Sequence, residues 1–167
     1  MASNLKIISG GQTGADRAAL DWAIARQILH GGWCPKGRKA EDGVINSRYN
    51  LTETPSGEYS QRTEWNVRDS DGTVIFSIAK KLFTGSLLTA ELAKKYQKPY
   101  IHISQQLTDI NPVNELLLFI SNYKIVTLNV AGPRASNEPE IYQFVNTIFE
   151  EAFLDKINNY NRLFSSK

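Results

Sequence analysis

Segments of strand and of helix character alternate along this chain, and that alternation most narrows what it can fold into. "LKIIS" (residues 5–9) reads as a short strand. "GADRAALDWAIARQI" (14–28) reads as a helix, with Ala15, Ala18, Ala19, Trp22, Ala23 and Ile24 at helical spacing. "HGGWCP" is a glycine turn into a brief strand stopped by Pro35. After a long polar interval come a strand at 72–78, a helix at 85–97 and the strand "YIHIS" at 100–104. A helix at 111–123 with Pro112 near its start, a strand at 124–132 and a helix at 137–157 complete the series. Asn137 and Glu140 open the last helix in an Asn-x-x-Glu pattern close to a capping box. Such alternation implies right-handed crossovers and an α/β fold, a mostly parallel sheet with helices on both faces. Ligands of open sheets of this kind sit beyond the carboxyl ends of the strands.

The 167 residues suit one domain. Within it, residues 36–71 are rich in Gly, Pro, Ser, Asn and charge, and show no strong periodicity. Structureless stretches this long are uncommon in compact domains and are often functional, so a covering lid or an oligomer contact is expected there. The polar tail, 158–167, is expected to be loose. A net charge of +2 is too weak to indicate a nucleic-acid partner. The N-terminal apolar run is too short for a signal peptide, and no run approaches the roughly 18 apolar residues of a membrane span. Cys34 is the single cysteine, which rules out an internal disulfide and makes a reducing, cytoplasmic setting the expectation.

Three loops pass from strand ends to helix starts, and each combines glycine with Ser or Thr. They are Gly10-Gly11-Gln12-Thr13-Gly14, the Thr84-Gly85-Ser86 turn, and the stretch with Gly132, Arg134 and Ser136. Parallel strands send all three to one edge. A helix N-terminus offers unpaired N–H groups and a partial positive charge, and glycine lets an anion reach the backbone. One helix end contributes about 0.3–2 kcal/mol to a bound charge, whereas micromolar binding needs about 8 kcal/mol. Several ends must therefore converge, with an arginine and an apolar wall. The plain alternative for each loop is a turn with a cap. Neither the G-x-G-x-x-G fingerprint nor the G-x-x-x-x-G-K-[ST] phosphate loop is present.

"RTEWNVRDSDG" gathers Arg62, Glu64, Asn66, Arg68, Asp69 and Asp71 before a strand. Its arginines suit a phosphate, and its three acids could hold a magnesium ion or a ring's N–H groups. Lys36, Arg38 and Lys39 form an exposed loop of mixed charge. Two histidines and one cysteine lack metal-ligand spacing, so no zinc site is expected. His102 reads as a satisfied strand residue and Cys34 as a small core residue. No nucleophile–histidine arrangement is evident and no catalytic residue is assigned; were there chemistry, Asp16 or Glu64 would be the base.

Taken in order, "GGQTGADRAALDWA", "GGWCPKGRKAEDGVI", "RYNLTETPSGEYSQRTEWNVRDSDGTVIF" and the later "GS…T" of Gly85, Ser86 and Thr89 resemble the molybdenum cofactor carrier proteins, grouped with circularly permuted members of the SLOG superfamily. The resemblance covers about residues 5 to 150. It implies a Rossmann-like fold, a phosphate-bearing ligand and a homo-oligomer, a tetramer. The implied ligand is molybdenum cofactor, a molybdopterin whose metal is held by its own dithiolene, delivered to molybdenum-dependent apoenzymes. On this reading the phosphate lies on Gly10, Gly11, Gln12, Thr13, Gly14 and Asp16, helped by Gly85, Ser86, Thr89 and Arg134. The pterin lies toward Arg62, Asn66, Arg68 and Asp69. Other superfamily members resemble lysine-decarboxylase-like phosphoribohydrolases with a P-G-G-x-G-T-x-x-E loop. Here Ser9 replaces the proline and Asp16 the glutamate, which weakens the case for that hydrolase. A nucleoside-monophosphate hydrolase and a nucleotide sensor remain the alternatives.

Overall fold

The computed structural model describes residues 5–107 and 109–164, with side chains through residue 153. In chain order it contains β1 (Lys6–Ile8), α1 (Ala15–Ala25), β2 (Leu29–Gly31), β3 (Trp33–Cys34) and β4 (Lys39–Ala40). There follow β5 (Gly43–Val44), β6 (Thr52–Glu53), α2 (Tyr59–Arg68), β7 (Gly72–Ser77) and α3 (Thr84–Lys95). The chain continues through β8 (Tyr100–Ser104), α4 (Pro112–Asn122), β9 (Thr127–Ala131) and α5 (Ile141–Phe164).

Five strands form one sheet in the order β2-β1-β9-β7-β8. Every pairing in it is parallel, with Ile7 opposite His30 and Leu128, and Val74 opposite Ile101 and Val130. The expected α/β arrangement is therefore present. Its order follows from the crossovers: β1 steps outward through α1 to β2, while β7 steps the opposite way through α3 to β8. Right-handed crossovers in opposite directions put their helices on opposite faces. The last strand, β9, fills the gap between the two halves.

The two faces differ in chemistry. Val74, Phe76, Ile101, Ile103, Leu128 and Val130 share one cluster with α1, α4 and α5 residues such as Trp22, Leu116, Val145 and Phe149. Trp22 lies 5.1 Å from both the Phe149 and Phe153 ring centroids. Successive strand residues point to opposite faces. Thr73, Ser77, His102, Ser104 and Asn129 therefore face the α2–α3 side, alongside the buried Ile8 and Ile75 and a smaller apolar cluster of Val67, Leu92, Ala93 and their neighbours. Asn129 Nδ2 donates to Thr73 Oγ1 at 3.1 Å, and Ser104 Oγ donates to the carbonyls of Ile78 and Ala79.

Three expectations are corrected. Residues 36–71 are not structureless: they hold β4 to β6 and the three-turn helix α2. Only Asn66 and Val67 of α2 are buried, so its apolar periodicity is too sparse to read. The last helix begins at Ile141, not at Asn137, and no Asn137–Glu140 capping box forms. Glu138 precedes Pro139, which disfavours helical backbone at Glu138. Finally, α5 runs past its expected end at residue 157 to Phe164; residues 158–164 contain no glycine or proline to end it, and residues 165–167 lie outside the described residues. Asn111 meanwhile caps α4 ahead of Pro112, accepting from the N–H groups of Val113 and Asn114. Cys34 is fully buried against Leu20, Ile45 and Tyr49, and burial pushes its thiol pKa up.

Candidate functional site

The turns β1–α1, β7–α3 and β9–α5 all leave the carboxyl edge of the sheet, and the first and last of these interlock. Gly14 stands at φ +81°, and a Cβ there would lie 2.5 Å from the Pro133 carbonyl and 2.8 Å from the Ala135 nitrogen. A Cβ on Gly132 would meet the Ala15 Cβ at 2.6 Å. Thr13 Oγ1 accepts from the Ala135 N–H at 3.1 Å, bridging the two turns.

The glycines of β1–α1 admit protein groups rather than a ligand. The space beside Gly10 is filled by the Arg62 guanidinium, 1.8 Å from an added Cβ, and that beside Gly11 by Leu51 and Ile45. Nor are all the amides vacant. The Gln12 N–H donates to Asp16 Oδ2 at 3.1 Å, and the Thr13 N–H to Gln12 Oε1 at 3.0 Å. Asp16, 2% exposed, also receives Arg62 Nη1 at 3.0 Å. Burial pushes the Asp16 carboxyl above its ordinary pKa, against the pull of Arg62 and the Gln12 N–H. On the Gly10–Gly14 turn, the Gln12 and Thr13 N–H groups and the space beside Gly10 and Gly11 are thus taken by protein groups.

An anion seat exists one step away, and a carboxylate of the protein sits in it. Glu41, at the tip of the β4–β5 hairpin, accepts from Thr13 Oγ1 and Ser136 Oγ, and from the Ser136 N–H at 3.2 Å. Arg134 Nη1 lies 3.9 Å from the same carboxylate. Burial opposes ionisation of Glu41, but the hydrogen bonds from Ser136 and Thr13 and the Arg134 charge outweigh it and hold the carboxyl below its usual range. Beside the seat, the Tyr59 ring has Lys39 at 5.0 Å, Arg134 at 5.4 Å and Arg62 at 5.8 Å from its centroid. The "EDG" of residues 41–43 signals a turn, but nothing in the sequence says where that turn lands.

Between the β7–α3 and β9–α5 loops lies a cavity of about 380 Å³, lined by Ser77, Lys81, Phe83, Ser86, Pro133 and Glu138 among others. It opens at the start of α3. The Glu138 carboxylate accepts from the Ile78 and Ala79 N–H groups at 2.6 and 3.3 Å, satisfying the end of β7. Ser77 Oγ stands 2.6 Å from His102 Nε2. Burial lowers the pKa of His102, with the Glu138 charge pulling the other way. Deeper in, Gly10, Arg62, Asn66, Thr89 and Asn129 border a gap of about 10 Å³, room for about one water.

The residues expected at the site therefore divide. Gly10, Gly11, Gln12, Thr13, Gly14, Asp16, Arg62 and Arg134 gather at the interlocked turns. Ser86 lines the large cavity, Gly85 adjoins it, and Thr89, whose hydroxyl donates to the Gly85 carbonyl at 2.8 Å, sits one turn deeper. Asn66 is a backbone partner, receiving the Trp33 N–H and donating to the Trp33 carbonyl. Arg68 and Asp69 are not at this edge: α2 descends from Arg62 toward the start of β7, about 1.5 Å per residue, and they pair with each other and with Trp33. Glu64 accepts from Lys95 and Tyr96 on the outer surface. The acids expected to hold magnesium are thus dispersed, with Asp71 serving the N–H groups of Val126 and Thr127. Among the described residues, no group of three or more His, Cys, Asp or Glu is placed to hold a metal ion, and no helix is long and apolar enough to cross a membrane. Sequence reasoning missed Glu41, Tyr59 and Glu138.

The sequence pattern of the circularly permutated YpsA SLOG family, cpYpsA, matches residues 7–153. A solved structure from Syntrophus aciditrophicus SB, named "putative molybdenum carrier protein", is 48% identical over 92% of this chain and 96% of that one, with a TM-score of 0.83. The structure of (E)-4-hydroxy-3-methyl-but-2-enyl diphosphate reductase matches at 9% identity over 89% of this chain and 60% of that one, with a TM-score of 0.38, too remote for any inference. No curated protein matches the chain.

Proposed function

This chain belongs to the circularly permutated YpsA SLOG family, and from that premise we propose that it binds and carries molybdenum cofactor. The observation that carries the reading is the meeting, at one sheet edge, of a cationic seat with a cavity of about 380 Å³, a volume within the usual span of small-molecule sites. The cofactor's phosphate belongs at the seat, with Thr13, Ser136 and Arg134. Its fused ring belongs in the cavity, where Ser77, Ser86 and Glu138 offer hydroxyl and carboxylate partners to ring nitrogens and N–H groups. The cofactor brings its own dithiolene, so the protein's task is to bind and shield.

Anaerobic titration of the purified protein with molybdenum cofactor tests this. We expect saturation near 1–10 μM, about 7–8 kcal/mol. Arg134→Ala should weaken it about tenfold or more, through loss of a charge-assisted bond. Absence of saturation overturns the reading, as does release of free base from a nucleoside monophosphate, which would mark a hydrolase. Nucleotide binding without turnover, and without cofactor binding, would mark a sensor. We further propose a homotetramer that hands its cargo to molybdenum-dependent apoenzymes. Sedimentation should give four times the 18.8 kDa chain mass.

A further inference from the structure

Glu41 occupies the position that a ligand anion needs. Its carboxylate takes the Thr13 hydroxyl and both the hydroxyl and the N–H of Ser136, with Arg134 alongside. The fold itself does not require a carboxylate there. The loop that carries the hairpin is organised independently by Arg38, whose guanidinium donates to the carbonyls of Ile45, Asn46, Tyr49 and Leu51. Ile45 and Tyr49 anchor that loop in the core.

Two further observations mark the seat as one for an anion larger than a carboxylate. Lys39, Arg62 and Arg134 converge on one tyrosine ring. Asp16 accounts for Arg62. Glu41 brings one charge to Arg134, and among the described residues Lys39 makes no ion pair, whereas a phosphate monoester brings about two charges and three acceptor oxygens. Gln12 supplies the second observation. It is 5% exposed, and its Oε1 receives the N–H groups of Thr13 and Glu41, which sets its amide against the seat. The other end of that amide, Nε2, is buried with no partner. A buried donor left unpaired costs free energy that an incoming oxygen recovers.

The tip of the hairpin, residues 41–44, is exposed. The hairpin's strands are two residues each, Val44 is 78% exposed, and the space beside both Gly37 and Gly43 is empty to 4 Å. Besides Glu41 and the Gln12 amide, its base is held by the buried Ala40 and by Lys39 over the Tyr59 ring, and its tip by a two-pronged ion pair between Arg17, 17% exposed, and Asp42, 49% exposed. The Asp42 end of that pair is open to solvent, which screens it.

We propose that Glu41 is an internal competitor for the ligand's phosphate: the β4–β5 hairpin closes the seat with its own carboxylate, and a phosphate monoester opens it by displacing that carboxylate. The idea rests on reading this rim as the phosphate end of the site. The probe is inorganic phosphate, followed through the amide resonances of Thr13, Ala135 and Ser136. Glu41→Gln keeps the shape and removes the charge. It should bind phosphate about tenfold more tightly than the parent chain, the equivalent of one charge-assisted hydrogen bond no longer to be displaced. Adding Arg134→Ala should abolish that gain. Without phosphate, Glu41→Gln should speed amide exchange of residues 39–44, and saturating phosphate should do the same to the parent chain. Asp42→Asn, which loosens the hairpin without entering the seat, should move both readouts in the same direction by less. Equal phosphate affinity in parent and Glu41→Gln overturns the proposal, as do phosphate shifts confined to the start of α3. Cofactor binding that is strong and indifferent to Glu41→Gln refutes the gate alone. Phosphate gating in a chain that ignores the cofactor refutes the cargo alone.

Discussion

Asp16 holds the β1–α1 turn together from beneath, and its titration can be followed. Burial raises its folded pKa above 3.8, the ordinary aspartate value. Below that value both states carry the proton and Asp16 adds no pH dependence. As pH rises past it, unfolded chains ionise first while folded Asp16 keeps its proton. The unfolded state then binds fewer protons, so stability falls until the folded pKa is passed. Urea unfolding across the acid range should show this decline in the parent chain relative to Asp16→Asn. A rise instead would mean that Arg62 outweighs burial. The same residues show what sequence could say at this scale. An excess of glycine in Gly10–Gly14 was legible as close approach, but not what approaches. Arg62, from a helix some fifty positions on, fills the space beside Gly10, and Pro133 and Arg134 fill that beside Gly14. Both are long-range contacts, and no local pattern encodes them.

Among the elements, α2 was the least legible and is the most consequential. Its residues are polar, its buried positions are Asn66 and Val67, and its register is fixed from outside. Asn66 does this by pairing both backbone groups of Trp33, as a strand would. Asn66→Leu should cost about 2–3 kcal/mol, because two backbone groups of β3 lose their partners; chemical denaturation would measure it. Ligand affinity should fall with it, since α2 carries Arg62 and Tyr59 to the rim. The elements that sequence did reveal are those whose periodicity reflects burial on the main core, such as α1, β7 and α4 with its Pro112 start. Helix α5 was legible in kind but not at its start. Its Asn-x-x-Glu pattern was overridden by Pro139, and Glu138 turned instead to the end of β7.

For the whole molecule, the asymmetry between the sheet's faces decides where stability comes from. Trp22, Phe76, Phe149 and Phe153 form one aromatic cluster under α1 and α5. Trp22→Ala should lose about 3–5 kcal/mol. Ser86→Ala, on the opposite side, should change stability by under about 1 kcal/mol. Calorimetry of the two variants would test the contrast; comparable losses would show that the α2–α3 side supports the fold just as strongly. The parallel sheet was legible because alternation dictates it. The strand order was not, because β9, the last strand, enters the middle, and the sequence carries no mark of insertion.

That division of labour has an evolutionary corollary. Descendants of such a chain can rewrite the hydroxyl-lined side, residue by residue, while the aromatic side keeps them folded. On the proposed carrier function, the barrier between one cargo and another is then set by recognition alone, so a single scaffold can diversify its guests without passing through unfolded intermediates in its history.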